Sequence, residues 1–94
     1  MPFVWDEDKR RRNLKKHGVD FVRAALAFAD PAAVREEDRT ERYDEQRFRL
    51  IGVGADGLLT VIYTERGADV RIISARNASK KEKQIYAANQ DYQG

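Results

Sequence analysis

From Arg47 to Asn77 the chain reads as three strands in quick succession, and this run limits the fold more than any other feature of the sequence. Arg47 to Gly54 and Leu58 to Glu65 are rich in β-branched and large apolar residues. Ala55-Asp56-Gly57 between them is turn chemistry, so the pair is predicted to close as a hairpin. Arg66-Gly67-Ala68-Asp69 then turns into a third strand, Val70 to Asn77. Connections this short leave consecutive strands antiparallel. The third strand holds the sequence Arg71-Ile72-Ile73-Ser74-Ala75-Arg76. Strict alternation predicts Ile72, Ser74 and Arg76 on one face, with Arg71, Ile73 and Ala75 on the other. Two guanidiniums in an apolar strand call for an anion, either a carboxylate of the protein or a phosphate from outside it.

The flanks supply helices. Phe3-Val4-Trp5 reads as a short strand. Asp6-Glu7-Asp8 caps and charges the start of a helix running to about Lys16, and Gly18 ends it. Leu14 is nearly its only apolar residue, which predicts a surface helix. Asp20 caps a second helix, Phe21 to about Ala29, whose broad apolar stripe marks it as the buried one, and Asp30-Pro31 stops it. Ala33 to about Glu37 is a predicted edge strand, followed by a polar loop over 38–46. Ser79-Lys80-Lys81-Glu82 is a capping box opening a last, weakly apolar helix with Ile85, Tyr86 and Ala88. The predicted order is β-α-α-β-β-β-β-α. This is an α+β domain spanning residues 1–94, with a small antiparallel sheet, two N-terminal helices and one C-terminal helix.

Composition narrows the function. There is no cysteine, and a single histidine, His17, so neither a thiolate zinc site nor a disulfide framework is available, and no cofactor is expected. No apolar run is long enough to cross a bilayer and no signal-peptide pattern appears, which makes the cytoplasm the expected location and a membrane an unexpected partner. The net charge is only +2, but it is uneven. Acids crowd Glu36-Glu37-Asp38 and Asp44-Glu45. Bases crowd Lys9 to Arg12, Lys15-Lys16 and the segment from Arg66 through Lys83. Arginine outnumbers lysine, which suits bidentate phosphate contacts.

Several stretches, in order along nearly the whole chain, carry a family likeness: Phe3-Val4-Trp5-Asp6-Glu7; Asn13-Leu14-Lys15-Lys16-His17-Gly18-Val19; Phe21 and Ala25; Phe28 with Asp30-Pro31; Asp44-Glu45 with Arg47; Ile51-Gly52; Tyr63-Thr64-Glu65-Arg66; Arg71 to Arg76; and Glu82 to Tyr86. With these residues the chain resembles the BrnT toxins of bacterial type II toxin–antitoxin pairs. It departs from their pattern at Asp44, where the family has Gly, and at Asn77-Ala78-Ser79, where the family often has Arg-Ala-Thr. The resemblance implies a RelE-like fold and a ribonuclease that cleaves messenger RNA and arrests growth. It also implies a BrnA-like ribbon-helix-helix antitoxin as partner, with operator DNA reached only through that antitoxin.

Metal-independent RNA cleavage uses the neighbouring 2′-hydroxyl as nucleophile, so the protein need supply positive charge, a proton acceptor and a proton donor. Arg76 is the expected electrophilic clamp, with Ser74 two residues away on its face and Arg66 in the turn leading into that strand as further phosphate contacts. Its alternative is an internal ion pair with Glu82 or Glu65. The acceptor is open between Glu45 and His17. For His17, a helix-end structural role is the competing account. Lys15, Lys16, Arg47 and Arg71 complete the expected substrate contacts, against the plainer readings of solvated lysines, an Arg47–Glu45 pair, and an Arg71 on the far face. Alternation assigns Tyr63 to the core, and burying the first strand is the commoner use of Phe3 and Trp5 than stacking a base. A binding module without catalysis, acting as partner and corepressor of a DNA-binding antitoxin, is the second reading.

Overall fold

The computed structural model describes residues 2–39 and 45–93. The elements run β1 (Phe3–Val4), α1 (Glu7–His17), α2 (Phe21–Ala24), a 3-10 turn (Ala25–Ala29), β2 (Val34–Asp38), β3 (Arg47–Gly54), β4 (Gly57–Arg66), β5 (Asp69–Asn77) and α3 (Lys80–Gln93). The part of the predicted 38–46 loop at residues 40–44, including Asp44, lies outside the described residues. The α+β class and the meander β2 to β5 stand as read from sequence. Three details differ. The sheet, in the order β1-β5-β4-β3-β2, is mixed, because the two-residue β1 joins β5 in parallel, Phe3 beside Val70 and Val4 beside Arg71. The predicted second helix tightens after one turn into 3-10 geometry, because Ala24 to Ala29 packs closely on β3. There, a Cβ on Gly52 would meet the Ala27 carbonyl oxygen at 2.9 Å.

The third difference matters most. β4 and β5 pair as Ile62↔Ser74 but then Tyr63↔Ile72, so Ile73 is an extra residue in β5, a β-bulge. Ile72 and Ala75, both fully buried, therefore share the helix-packed face with Val61 and Tyr63. Arg71 pairs with Thr64, Ser74 with Ile62, and Arg76 with Thr60, all on the opposite face. The strict alternation expected from sequence had put Arg71 on the other side from Ser74 and Arg76. The bulge brings all three to one.

The helix-packed face carries the core: Phe21, Ala24 and Ala27 against Leu50, Leu59, Val61, Tyr63, Val70, Ile72 and Ala75. Phe3 packs on Phe28 at 5.0 Å between ring centroids and Trp5 sits edge-on to Phe21 at 6.2 Å, so the first strand's aromatics are used in packing. Tyr63 is buried among Phe28 and Phe48, as alternation predicted.

Helix α1 has the predicted caps. The Asp6 carboxylate accepts from the Asp8 and Lys9 amides, and Gly18 closes the helix at φ 73°, in the left-handed region that glycine tolerates. Its one buried residue is polar. Asn13 donates to the Ala75 and Val19 carbonyls at 2.7 and 2.9 Å and accepts from the Ala75 amide at 3.1 Å. β1 is too short to cover this part of β5, and the Asn13 amide takes the place of the missing strand.

Helix α3 lies on the opposite face, by the β2–β3 side, and is fastened by polar contacts. Ser79 and Glu82 form the reciprocal capping box. Tyr86 donates its hydroxyl to Asp30 at 2.7 Å, and Gln90 donates to the Ala32 carbonyl at 3.3 Å. Burial pushes the Asp30 carboxyl up, but the Val53 amide, the Tyr86 hydroxyl and the Ala32 amide outweigh it and hold it below the ordinary carboxylate value. These contacts answer the weak apolar stripe of this helix. Directed hydrogen bonds do here what burial does for α2.

Candidate active site

The face opposite α2 and the 3-10 turn is covered by α3 only in part. Beyond it, the ends of β3, β4 and β5 present Arg47, Arg49, Ile62, Thr64, Arg66, Arg71 and Ser74. Glu45 enters this end from just before β3. Its carboxylate accepts from Arg66 at 2.9 Å. The Arg66 hydrogen bond comes first in holding the Glu45 carboxyl below its ordinary value. Burial opposes it, and the charges of Arg66, Arg47 and Arg71 reinforce it. Glu45, Arg47, Arg66 and Arg71 thus converge. The simpler sequence account of Arg47, a pair with its neighbour Glu45, is replaced by a shared arrangement in which Arg66 makes the direct contact. Arg71 is half-buried, and among the described residues no hydrogen bond or ion pair holds its guanidinium. Arg49, which the sequence reading did not single out, lies on the same face and is occupied by Glu36 across the β2–β3 ladder.

Arg76 has the internal partner that was its alternative. Its two terminal nitrogens donate to the two Glu82 oxygens at 2.7 and 2.9 Å. Glu82 is buried, and Arg76 holds its carboxyl down to about 2 against the cost of burial, helped by the Ser79 amide. This fork ties the start of α3 to β5. Glu65, the other partner considered, is taken by Arg35 on the helix-packed side.

A second concavity, of about 370 Å³, runs between α1 and β5. Lys9, Arg12, Asn13, Lys16 and His17 line one wall, and the bulged Ile73 with Ser74 lines the other. Lys16, His17 and Ser74 therefore line one concavity, while Lys15 is exposed and does not line it. His17 is the last residue of α1, half-buried in this groove. Ser74 belongs to both places, lining the groove and paired with Ile62 on the open face. Lys9 and Arg12 were visible in the sequence only as part of a basic run. Their spacing with Asn13 and Lys16 (i, i+3, i+4, i+7) was the signal for a shared helix face.

The arrangement defines a small α+β domain with an arginine-rich open sheet face around one ionised carboxylate, suited to holding a phosphodiester. Residues 5–82 match the family described as ribonuclease toxin, BrnT, of type II toxin–antitoxin system, and the chain belongs to that family. Membership carries the toxin role, ribonuclease activity and an antitoxin partner. No curated protein matches the chain. Among the described residues no helix is long and apolar enough to cross a membrane.

Proposed function

We propose that this protein is a RelE-like endoribonuclease that cuts messenger RNA in the cytoplasm without a metal ion, by attack of the 2′-hydroxyl on the adjacent phosphate. The observation that carries the reading is the convergence of Arg47, Arg66 and Arg71 around Glu45 on the open sheet face. Three guanidiniums match the charge that develops on the phosphoryl oxygens of a pentacoordinate transition state. An arriving phosphate competes with Glu45 for Arg66. As that hydrogen bond is exchanged, the carboxylate loses its strongest stabiliser and becomes a better proton acceptor.

In this scheme Glu45 takes the proton of the 2′-hydroxyl. The 2′-oxygen bonds to phosphorus and the bond from phosphorus to the 5′-oxygen breaks. His17, beside Ser74 in the groove, returns a proton to the leaving 5′-oxygen. The products are a 2′,3′-cyclic phosphate and a 5′-hydroxyl end. Ser74 and Lys16 contact the phosphate backbone, Lys15 adds a more distant charge, and Arg76 serves as a positioning residue through Glu82. The test is incubation of purified protein with single-stranded RNA in EDTA. Cyclic phosphate termini support the scheme, and cleavage that requires added divalent cation overturns it.

The partner in this reading is a BrnA-like ribbon-helix-helix antitoxin, through which operator DNA is reached. One observation favours the second reading, a corepressor that needs no catalysis. Val22, Leu26 and Val53, about half exposed, leave apolar surface beside the 3-10 turn, away from the arginine cluster. Intact RNA at high protein concentration, together with tight antitoxin binding, would select it.

A further inference from the structure

The charges of α1 are sorted by face. Arg10 is held by Asp20 at 2.9 and 3.0 Å and by Glu7 at 3.1 Å, and Arg11 is paired with Asp8. These two arginines point away from the groove. Lys9, Arg12 and Lys16, which line it, form no ion pair among the described residues, and Arg12 makes only a 3.3 Å contact to the Asp8 carbonyl. All nine ion pairs among the described residues use arginine and none uses lysine. The acids near α1 thus pair with its outer face, while on the groove side Asp6 feels the charges of Lys9 and Arg12 without an ion pair to either, and Lys16 has no such neighbour, so the groove face keeps a net positive charge.

Asn13 fixes which face that is. It lies four residues after Lys9, one after Arg12 and three before Lys16, and its amide is bound to both backbone groups of Ala75. The helix cannot rotate about its axis without breaking those bonds. At a rise of about 1.5 Å per residue, Lys9 to Lys16 covers about 10 Å along the groove. That length suits two successive phosphates of an extended single strand. Ser74 lines the groove and also lies on the sheet face that carries the arginine cluster.

We infer that the α1–β5 groove is a single-stranded RNA backbone track, in which Lys9, Arg12 and Lys16 hold phosphates flanking the one placed at the arginine cluster. The inference rests on the ribonuclease reading for the identity of the polyanion. It adds Lys9 and Arg12 as contacts extending along the groove beyond the reacting centre, so substrate length becomes a determinant of affinity. DNA or an acidic peptide in the groove would be a different occupant, and the test includes both.

The experiment measures equilibrium binding of a 2′-O-methyl oligonucleotide, which cannot undergo 2′-attack, across a salt series. The proteins are the full chain, the triple variant Lys9→Gln/Arg12→Gln/Lys16→Gln, and a control carrying Lys80→Gln and Lys81→Gln on α3. Each backbone contact to a single strand contributes about 0.7 to the log–log salt slope. The expected result is a slope lower by about 2 and an affinity at least tenfold weaker for the triple variant, with the control within twofold of the parent. A 12-nucleotide strand should be bound at least tenfold tighter than a 3-nucleotide strand by the parent, and this difference should shrink in the triple variant. An unchanged slope in the triple variant, an equal loss in the control, or tighter binding of an acidic peptide or DNA than of RNA overturns the inference. Because binding is read on an uncleavable strand, a parent that binds in this way but never cuts RNA refutes the catalytic reading alone. A parent that cuts RNA while the triple variant binds normally refutes the track alone.

Discussion

Asn13 and Ala75, sixty-two residues apart, are joined by two hydrogen bonds of the kind one strand makes to another. Asn13→Ala leaves the Ala75 amide and the Ala75 and Val19 carbonyls without this partner at a buried site. The expected loss is about 2–4 kcal/mol of unfolding free energy, measured by urea titration. A loss under about 0.5 kcal/mol would mean that α1 is held by other contacts.

The Arg76–Glu82 fork gives an acid-sensitive stability. The Glu82 carboxyl is held at about 2 against an ordinary 4.5. A depressed carboxylate contributes its full stability above the ordinary value and loses it as pH falls through the folded value. Stability is therefore expected to drop between about pH 5 and pH 2, by on the order of 2 kcal/mol from this group. Glu82→Gln should be less stable at pH 7, by about 3 kcal/mol, and should show a shallower acid decline. Parallel acid curves for the two proteins would refute the assignment. The same variant also tests the role of Arg76. If Arg76 clamps phosphate rather than α3, freeing it from Glu82 raises cleavage instead of lowering it.

Removing charge from the open face should affect chemistry and leave folding intact. Arg71→Ala is expected to lower kcat by about 10²–10³. Glu45→Gln is expected to lower it by about 10²–10⁴. Circular dichroism and thermal midpoints should stay near those of the parent. Because the Glu45 carboxyl lies below its ordinary value of 4.5 in the free protein, it is ionised throughout the neutral range. The acid limb of kcat/KM assigned to it should therefore fall below pH 4.5 and disappear in Glu45→Gln. Full activity in that variant would move the acceptor role elsewhere.

Gly52 tests the close approach of the 3-10 turn to the sheet. A methyl group there would stand 2.9 Å from the Ala27 carbonyl oxygen and 3.1 Å from the Ala33 Cβ. Gly52→Ala should cost about 1–3 kcal/mol in denaturant unfolding, since the obstacle is backbone on one side. A neutral substitution would show that the turn can draw back.

Most of the framework was legible because it rests on local rules. Asp6, Gly18, Asp20 and the Ser79–Glu82 box placed helix ends, and the Ala55-Asp56-Gly57 turn placed the hairpin. What escaped depends on pairing between distant residues. The bulge at Ile73 follows from matching β5 to β4, which no local pattern in β5 records, and it decided on which face Arg71 emerges. The parallel seat of β1 depends on Val70 lying beside Phe3. At the candidate site, Glu45, Arg66 and Arg71 were named as candidates from sequence, but the Glu45–Arg66 hydrogen bond with the Arg71 charge near it was not readable. For Arg76 the sequence favoured a phosphate over an internal pair with Glu82 or Glu65, and only three-dimensional placement shows that Glu82 is within reach.

The sorting of charge on α1 has a consequence for encounter. A molecule with a formal charge of only +2 exerts little net pull on a distant polyanion. With its acids matched to outward arginines, however, it carries a strong electrical asymmetry at short range. Such a protein meets an RNA strand already turned the right way round, and the benefit should fade as added salt shortens the reach of its field.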